Sequence, residues 1–184
     1  MARQGGKIIL LNGASSSGKS SVARVLQITV DEPFWRISFD HLRDAGALPL
    51  ARFQSGEFNW ADFRDRFFVG YERSLAAFAE TGNNLIVDYI VETEAGMGRL
   101  VTLFSPFDVF FVGVHCALDE LERRETARGD RARGDARRDY HAIHRHARYD
   151  MEVDTTDARP ERVAEEIVAA WRARVRPSAF DAMG

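Results

Sequence analysis

The stretch Gly13-Ala14-Ser15-Ser16-Ser17-Gly18-Lys19-Ser20 constrains this chain more than any other. It has the spacing G-x-x-x-x-G-K-[ST]. Before it lies an apolar run, residues 7–11 (KIILL), which reads as a buried strand. After it, from Lys19 to about Val30, Val22, Val25, Leu26 and Thr29 share one helical face. A strand, a turn of small residues and a helix in that order make a cradle for phosphate. Small side chains let successive backbone N–H groups turn toward one anion. The start of the helix adds unpaired N–H groups and a positive end. Lys19 brings a full charge for the β- and γ-phosphates, and Ser20 offers a hydroxyl to Mg²⁺. Residues 13–21, Ser21 included, are therefore read as the nucleotide-binding loop. A serine-rich turn that merely caps a helix is the competing reading, and it leaves the lysine unexplained. Lysine is nearly absent here: Lys7 and Lys19 are the only two among 25 basic residues.

The rest of the composition bounds the class. A chain of 184 residues suits one domain. Its net charge of −3 argues against a dedicated duplex-DNA binder. No apolar run approaches a membrane span, and the first residues lack the pattern of a secretory signal. The lone cysteine, Cys116, cannot form an internal disulfide. The expectation is a soluble, cytoplasmic domain without nucleic-acid or membrane partners; a homo-oligomer stays open.

Apolar runs alternate with amphipathic stretches along the chain. Strands are expected at 7–11, 35–39, 84–88, 109–115 and 149–154. Helices are expected at 19–30, from Asp40 as a cap through Ala45, and at 60–81, where Phe63, Phe67, Tyr71 and Ala77 or Phe78 recur. Further helices are expected at 118–128, 139–148 and 160–174, the last opening on Pro160. Residues 46–60 read as irregular. This alternation predicts an α/β fold with a mostly parallel sheet. Together with the phosphate loop it points to the three-layer P-loop NTPase architecture, for which the expectation is a five-stranded sheet in the usual order of small kinases, 2-3-1-4-5, and an arginine-rich lid. The domain is expected to span 1–176, with the lid at about 128–148 and a disordered tail at 177–184.

With lysine only at 7 and 19, a guanine-reading N-K-x-D motif cannot exist, so ATP is the expected nucleotide. The chain is short for a motor but long enough for a small-molecule kinase. Such a kinase needs a lid that dries the site. Arg123, Arg124, Arg128, Arg131, Arg133, Arg137 and Arg138 crowd one helix end and the loop beyond, with Gly129 and Gly134 as hinges. Arg124 and Arg128 share a helix face, so one can stack on adenine while the other reaches phosphate. Arg133 and Arg137 are the expected contacts to the transferring phosphoryl group. Glu122, Glu125, Asp130, Asp135 and Asp139 balance them, as they would on a plain solvated helix.

Two acids stand at strand ends, where ligands gather in such sheets. The strand order puts Asp88 near Mg²⁺ or its waters, and Asp40 toward the acceptor hydroxyl as base or aligning group. Each also has a plainer reading, Asp40 as a helix cap and Asp88 as a turn residue, and their two roles can be exchanged. His141, His144 and His146 lack a convincing partner set for zinc. Cys116 reads as a small buried residue.

NGASSSGKSS at 12–21, ETARGDR at 125–131 and YDMEVDTT at 149–156, with Phe39-Asp40-His41-Leu42, resemble the chloramphenicol phosphotransferase family of small P-loop kinases. The similarity spans about residues 7–170 in order and spacing. It implies ATP and Mg²⁺ as co-substrate and cofactor, a small-molecule alcohol as acceptor, and Asp40 as catalytic base. Ala14 stands where the family tends to have glycine, and Tyr89 where a second acid is expected. Residues 46–70, which should help form the acceptor pocket, do not match. There Phe53, Phe58, Trp60, Phe63 and Phe67 can line an aromatic slot or join the core, with core preferred for Phe63 and Phe67. The expected activity is O-phosphorylation of a chloramphenicol-like antibiotic, of the resistance type. The alternatives are a kinase of a sugar, nucleotide sugar or shikimate-like acid, for which Arg43, Arg52, Arg64 and Arg66 are available, and a nucleotide-binding regulatory module without turnover.

Overall fold

In the computed structural model, which describes residues 5–128 and 134–184, five strands form one sheet. They are β1 (Lys7–Gly13), β2 (Phe34–Ser38), β3 (Asn84–Tyr89), β4 (Asp108–His115) and β5 (Met151–Asp154). Their order is β2-β3-β1-β4-β5, and every neighbouring pair is parallel. The expected architecture is therefore present.

Parallel strands must be joined by crossovers, which cover both faces with helices. That is why β1 reads as an unbroken apolar run. Its side chains alternate between two core layers. Ile8 and Leu10 face α4 (Ala61–Glu80) and α5 (Glu94–Phe104), meeting Leu75 and Phe104. Ile9 and Leu11 face α1 (Lys19–Thr29) and α8 (Pro160–Ala173), meeting Leu26 and Trp171. The remaining helices are α2 (Phe39–Asp44), α3 (Leu50–Gln54), α6 (Leu118–Arg128) and α7 (Asp135–Ala142). No helix among the described residues is long and apolar enough to cross a membrane.

Several elements differ from expectation. Helix α5 was not anticipated; Thr93 starts it, its hydroxyl accepting from the Gly96 N–H at 3.1 Å. Helix α3 lies inside the stretch read as irregular. Helix α4 buries Tyr71, Glu72, Leu75, Ala76 and Ala79, whereas Ala77 and Phe78 are exposed. Asp40 is not a cap. Ser38 caps α2, its hydroxyl accepting from the His41 N–H, and Asp40 sits in the first turn.

The tail is a correction to the expected disorder at 177–184. Phe180 is 1% exposed and packs on Phe104 and Phe111. The Ala179 N–H donates to Asp150, and a short 3-10 turn, Asp181–Met183, follows. Ring packing supplies what local propensity does not. Phe180→Ala is expected to cost about 3 kcal/mol of stability, as for other buried aromatic truncations. A urea midpoint equal to that of the unaltered protein would show that the tail does not belong to the core.

Candidate active site

The turn after β1 wraps tightly. A Cβ on Gly13 would lie 2.4 Å from the Val114 carbonyl oxygen, so the backbone there tolerates only glycine. Ser16 and Gly18 have φ of 66° and 85°, the left-handed region that curls the loop back on itself. Helix α1 then begins at Lys19. Lys19 is buried, and its Nζ donates to the Ala14 carbonyl at 2.7 Å. The same Nζ lies 4.0 Å from Asp88 Oδ1, and the Ser20 hydroxyl donates to Asp88 Oδ2 at 2.5 Å. Register explains the meeting. Asp88 pairs with Leu11 of β1 on one side and with Ser38 of β2 on the other, so it stands between the loop and the start of α2. The Ser16 hydroxyl oxygen is buried, with no hydrogen-bond partner among the described residues.

Residues to which the sequence reading gave no role at the site hold the loop in shape. Thr155 donates from its hydroxyl to the Ser17 carbonyl at 2.6 Å. Asn12 donates to the Tyr149 hydroxyl at 2.8 Å and to the Ile143 carbonyl at 3.2 Å, and accepts from the Val91 N–H at 2.9 Å. His144 Nδ1 is 2.7 Å from the same Tyr149 hydroxyl. Burial, with the neighbouring His115, pushes His144 down to about 4, so its ring is neutral at physiological pH. No cluster of three or more His, Cys, Asp or Glu among the described residues is arranged to hold a metal. Cys116 is buried beside Ala14, and burial raises its thiol.

The lid arginines divide. Arg124 donates to the Thr155 and Thr156 carbonyls at 2.7 and 3.1 Å, and Arg124 and Arg128 both line the cleft over the loop. Arg137 does not line it; it pairs with Glu122 at 2.6 Å on the exposed side. Its neighbour Arg138 lines the cleft instead. Arg131 and Arg133 lie outside the described residues. The phase of α7 is set from a distance. The buried Glu125 carboxylate accepts from the Gly134 and Ala136 N–H groups, both at 2.8 Å, and so caps α7 at Asp135. One turn on, the buried Asp139 accepts from the Ser15 N–H at 3.0 Å and pairs with Arg138 at 3.2 Å. The lid helix is thereby tied to the phosphate loop.

Loop, lid and α2 enclose one cleft of about 700 Å³. Asp40 lines it from α2, 3.2 Å from the Arg43 guanidinium. Beside it Phe39, Trp60, Phe68 and Tyr89 supply aromatic walls, and Arg64 pairs with Glu92 at 2.8 Å. Of the candidate slot residues only Trp60 lines the cleft. Phe67 packs on the core, and Phe53, Phe58 and Phe63 pack on one another behind it. Arg52 and Arg66 lie over the Phe58 and Phe63 rings, outside the cleft.

The sequence model of chloramphenicol phosphotransferase-like proteins matches residues 6–172. The chain belongs to that family. Two Mycobacterium tuberculosis proteins provisionally named O-phosphotransferases, from strains CDC 1551 / Oshkosh and ATCC 25618 / H37Rv, are each 33% identical over 96% of this chain and 87% of their own. Among solved structures, the M. tuberculosis APS kinase CysC in complex with AMPPNP and APS superposes with a TM-score of 0.64 at 20% identity, covering 92% of this chain and 99% of that one. A gluconokinase from Sinorhizobium meliloti 1021 gives 0.63 at 19% identity, covering 93% and 94%. The Deinococcus radiodurans tunicamycin resistance protein gives 0.63 at 17%, covering 92% and 97%. These likenesses show the fold of P-loop kinases. The chloramphenicol phosphotransferase-like chain is thus a phosphotransferase of kinase fold.

Proposed function

We propose that this protein transfers the γ-phosphoryl group of ATP to a hydroxyl of a small neutral alcohol with a flat apolar part, a chloramphenicol-like acceptor. One observation carries the reading: Lys19, Ser20, Asp88 and Asp40 all front a single cleft. The tight loop backbone and the Ser16 hydroxyl, which has no partner among the described residues, suit phosphate oxygens. Ser20 and Asp88, hard oxygen donors already in contact, suit Mg²⁺, which when held there would neutralise charge on the donor phosphates. Lys19 and Arg138 balance charge on the transferring group. Asp40 aligns the acceptor hydroxyl and takes its proton as the new O–P bond forms and the bond to ADP breaks.

The acceptor's character follows from what surrounds Asp40. Arg43 and Arg64 are each paired with a carboxylate, so charges on this side offset one another. The aromatic walls favour a stacked apolar group. A shikimate-like acid would have to displace an existing ion pair. The test is a mass-spectrometric screen with Mg·ATP, reading a gain of one phosphate. Chloramphenicol and other neutral aromatic alcohols are expected to gain it ahead of carboxylated or phosphorylated alcohols. Turnover of anionic acceptors alone would overturn the acceptor assignment, and nucleotide binding without any phosphorylated product would overturn the activity.

A further inference from the structure

Two arginines line the cleft near Asp40, and their charges are held in different ways. Arg43 reaches Asp40 at 3.2 Å and Asp44 at 2.8 Å, so its partners are the base itself and an exposed acid of the same helix. Arg64, in the first turn of α4, pairs at 2.8 Å with Glu92, which lies just past the end of β3. Arg64 and Glu92 both line the cleft, and both are half-buried. Ring contacts tie the pair to the acceptor site. The Arg64 guanidinium lies 4.9 Å over the Phe68 ring, and Phe68 packs at 5.3 Å on Phe39, the residue before Asp40.

A half-exposed ion pair adds little to stability, so its place in the cleft matters more than its energy. A guanidinium laid flat over an aromatic ring is well shaped to receive a ligand carboxylate through two parallel hydrogen bonds. Glu92 already fills that role. An anionic acceptor has to push Glu92 aside and then lie beside a carboxylate that has lost its cation. A neutral acceptor leaves the pair intact and stacks on the neighbouring rings. Specificity is a difference of affinities, and an opposing charge creates one without any added contact to the favoured ligand.

We propose that Glu92 is a specificity-determining residue of the acceptor site: by holding Arg64 it turns away alcohols that carry a carboxylate. This rests on the phosphotransfer reading above and names the residue that sets its acceptor class. Arg43 is not available for the same task, because releasing it would strip Asp40 of its partner. With Glu92 neutralised, the carboxylate left beside Arg64 is Asp65, 3.8 Å away and almost wholly exposed, which is a weak competitor for an incoming anion.

The test uses acceptors that differ in charge but hardly in shape. Chloramphenicol carries a ring nitro group, and its analogue with a carboxylate at that position has the same planar form and one more negative charge. The alcohols para-nitrobenzyl alcohol and para-(hydroxymethyl)benzoate make a second, smaller pair. The ratio of kcat/KM, neutral over anionic, is measured with Mg·ATP for the wild type, for Glu92→Gln, and for Glu92→Gln combined with Arg64→Met. The wild-type ratio should be about tenfold or more. Glu92→Gln should lower it about tenfold, the scale of one charge-assisted hydrogen bond gained by the carboxylate. The change should fall on the acceptor KM, with the KM for ATP within about twofold. Adding Arg64→Met should undo the gain, because no cation is left there to receive the anion. A ratio that Glu92→Gln does not move overturns this inference and leaves phosphotransfer standing. A lowered ratio that persists in the double variant also overturns it, since the anion is then received elsewhere. Equal losses on both acceptors with a lower melting temperature make the pair structural and overturn it too. A wild type that phosphorylates no member of either pair, or only the carboxylates, overturns the acceptor reading above and this inference with it.

Discussion

Lys19→Ala is expected to lower kcat/KM by about 10²- to 10³-fold, the usual cost of losing one preorganised charge at a reacting centre. Lys19 is buried at the loop, with its amine 4.0 Å from Asp88. Removing the amine leaves that carboxylate facing the donor phosphates without its cation, so nucleotide affinity should weaken as well. Arginine should not rescue the variant, because a planar guanidinium does not reproduce the point charge of the buried Lys19 amine, which donates to the Ala14 carbonyl. Steady-state phosphate transfer, together with circular dichroism to verify folding, decides the matter. Near-normal turnover would show that the loop does not grip the donor.

Asp40→Asn should behave differently. The amide keeps the shape but cannot accept the acceptor's proton, so kcat should fall by about 10²- to 10⁴-fold. ATP affinity should remain within about twofold, since Asp40 follows β2, which is separated from the loop strand β1 by β3. Calorimetric ATP titration beside single-turnover transfer separates the two quantities. Loss of both together would give Asp40 the metal role and hand the base role to Asp88.

Much of this was legible in the sequence, for physical reasons. Strands buried on both faces read as apolar runs, and β1, β3 and β4 are such runs. The phosphate loop is a local motif with a local cause. What was missed depends on distant partners. Helix α5 carries Gly96 and Gly98 among its apolar residues, which blurs its pattern. Arg137 was favoured over Arg138, and one residue turns a helix by about 100°. That phase follows from Glu125 capping α7 across a gap of nine residues and from Asp139 docking on Ser15. Tail order follows from Phe180 meeting Phe104 and Phe111, contacts that no local pattern announces. At the site, Asp40, Asp88, Lys19 and Ser20 come together as the strand order dictates.

The scarcity of lysine has a practical side. Lys7 opens β1 and is held by Glu32 at 2.5 Å, whereas Lys19 lies past the other end of that strand, roughly 20 Å away for seven extended residues. An amine-acylating tag tethered to a nucleotide phosphate would therefore meet a single side-chain amine within reach, Lys19. Labelling at that one position, blocked by excess untagged ATP, would mark where the triphosphate tail rests without any knowledge of what the enzyme modifies.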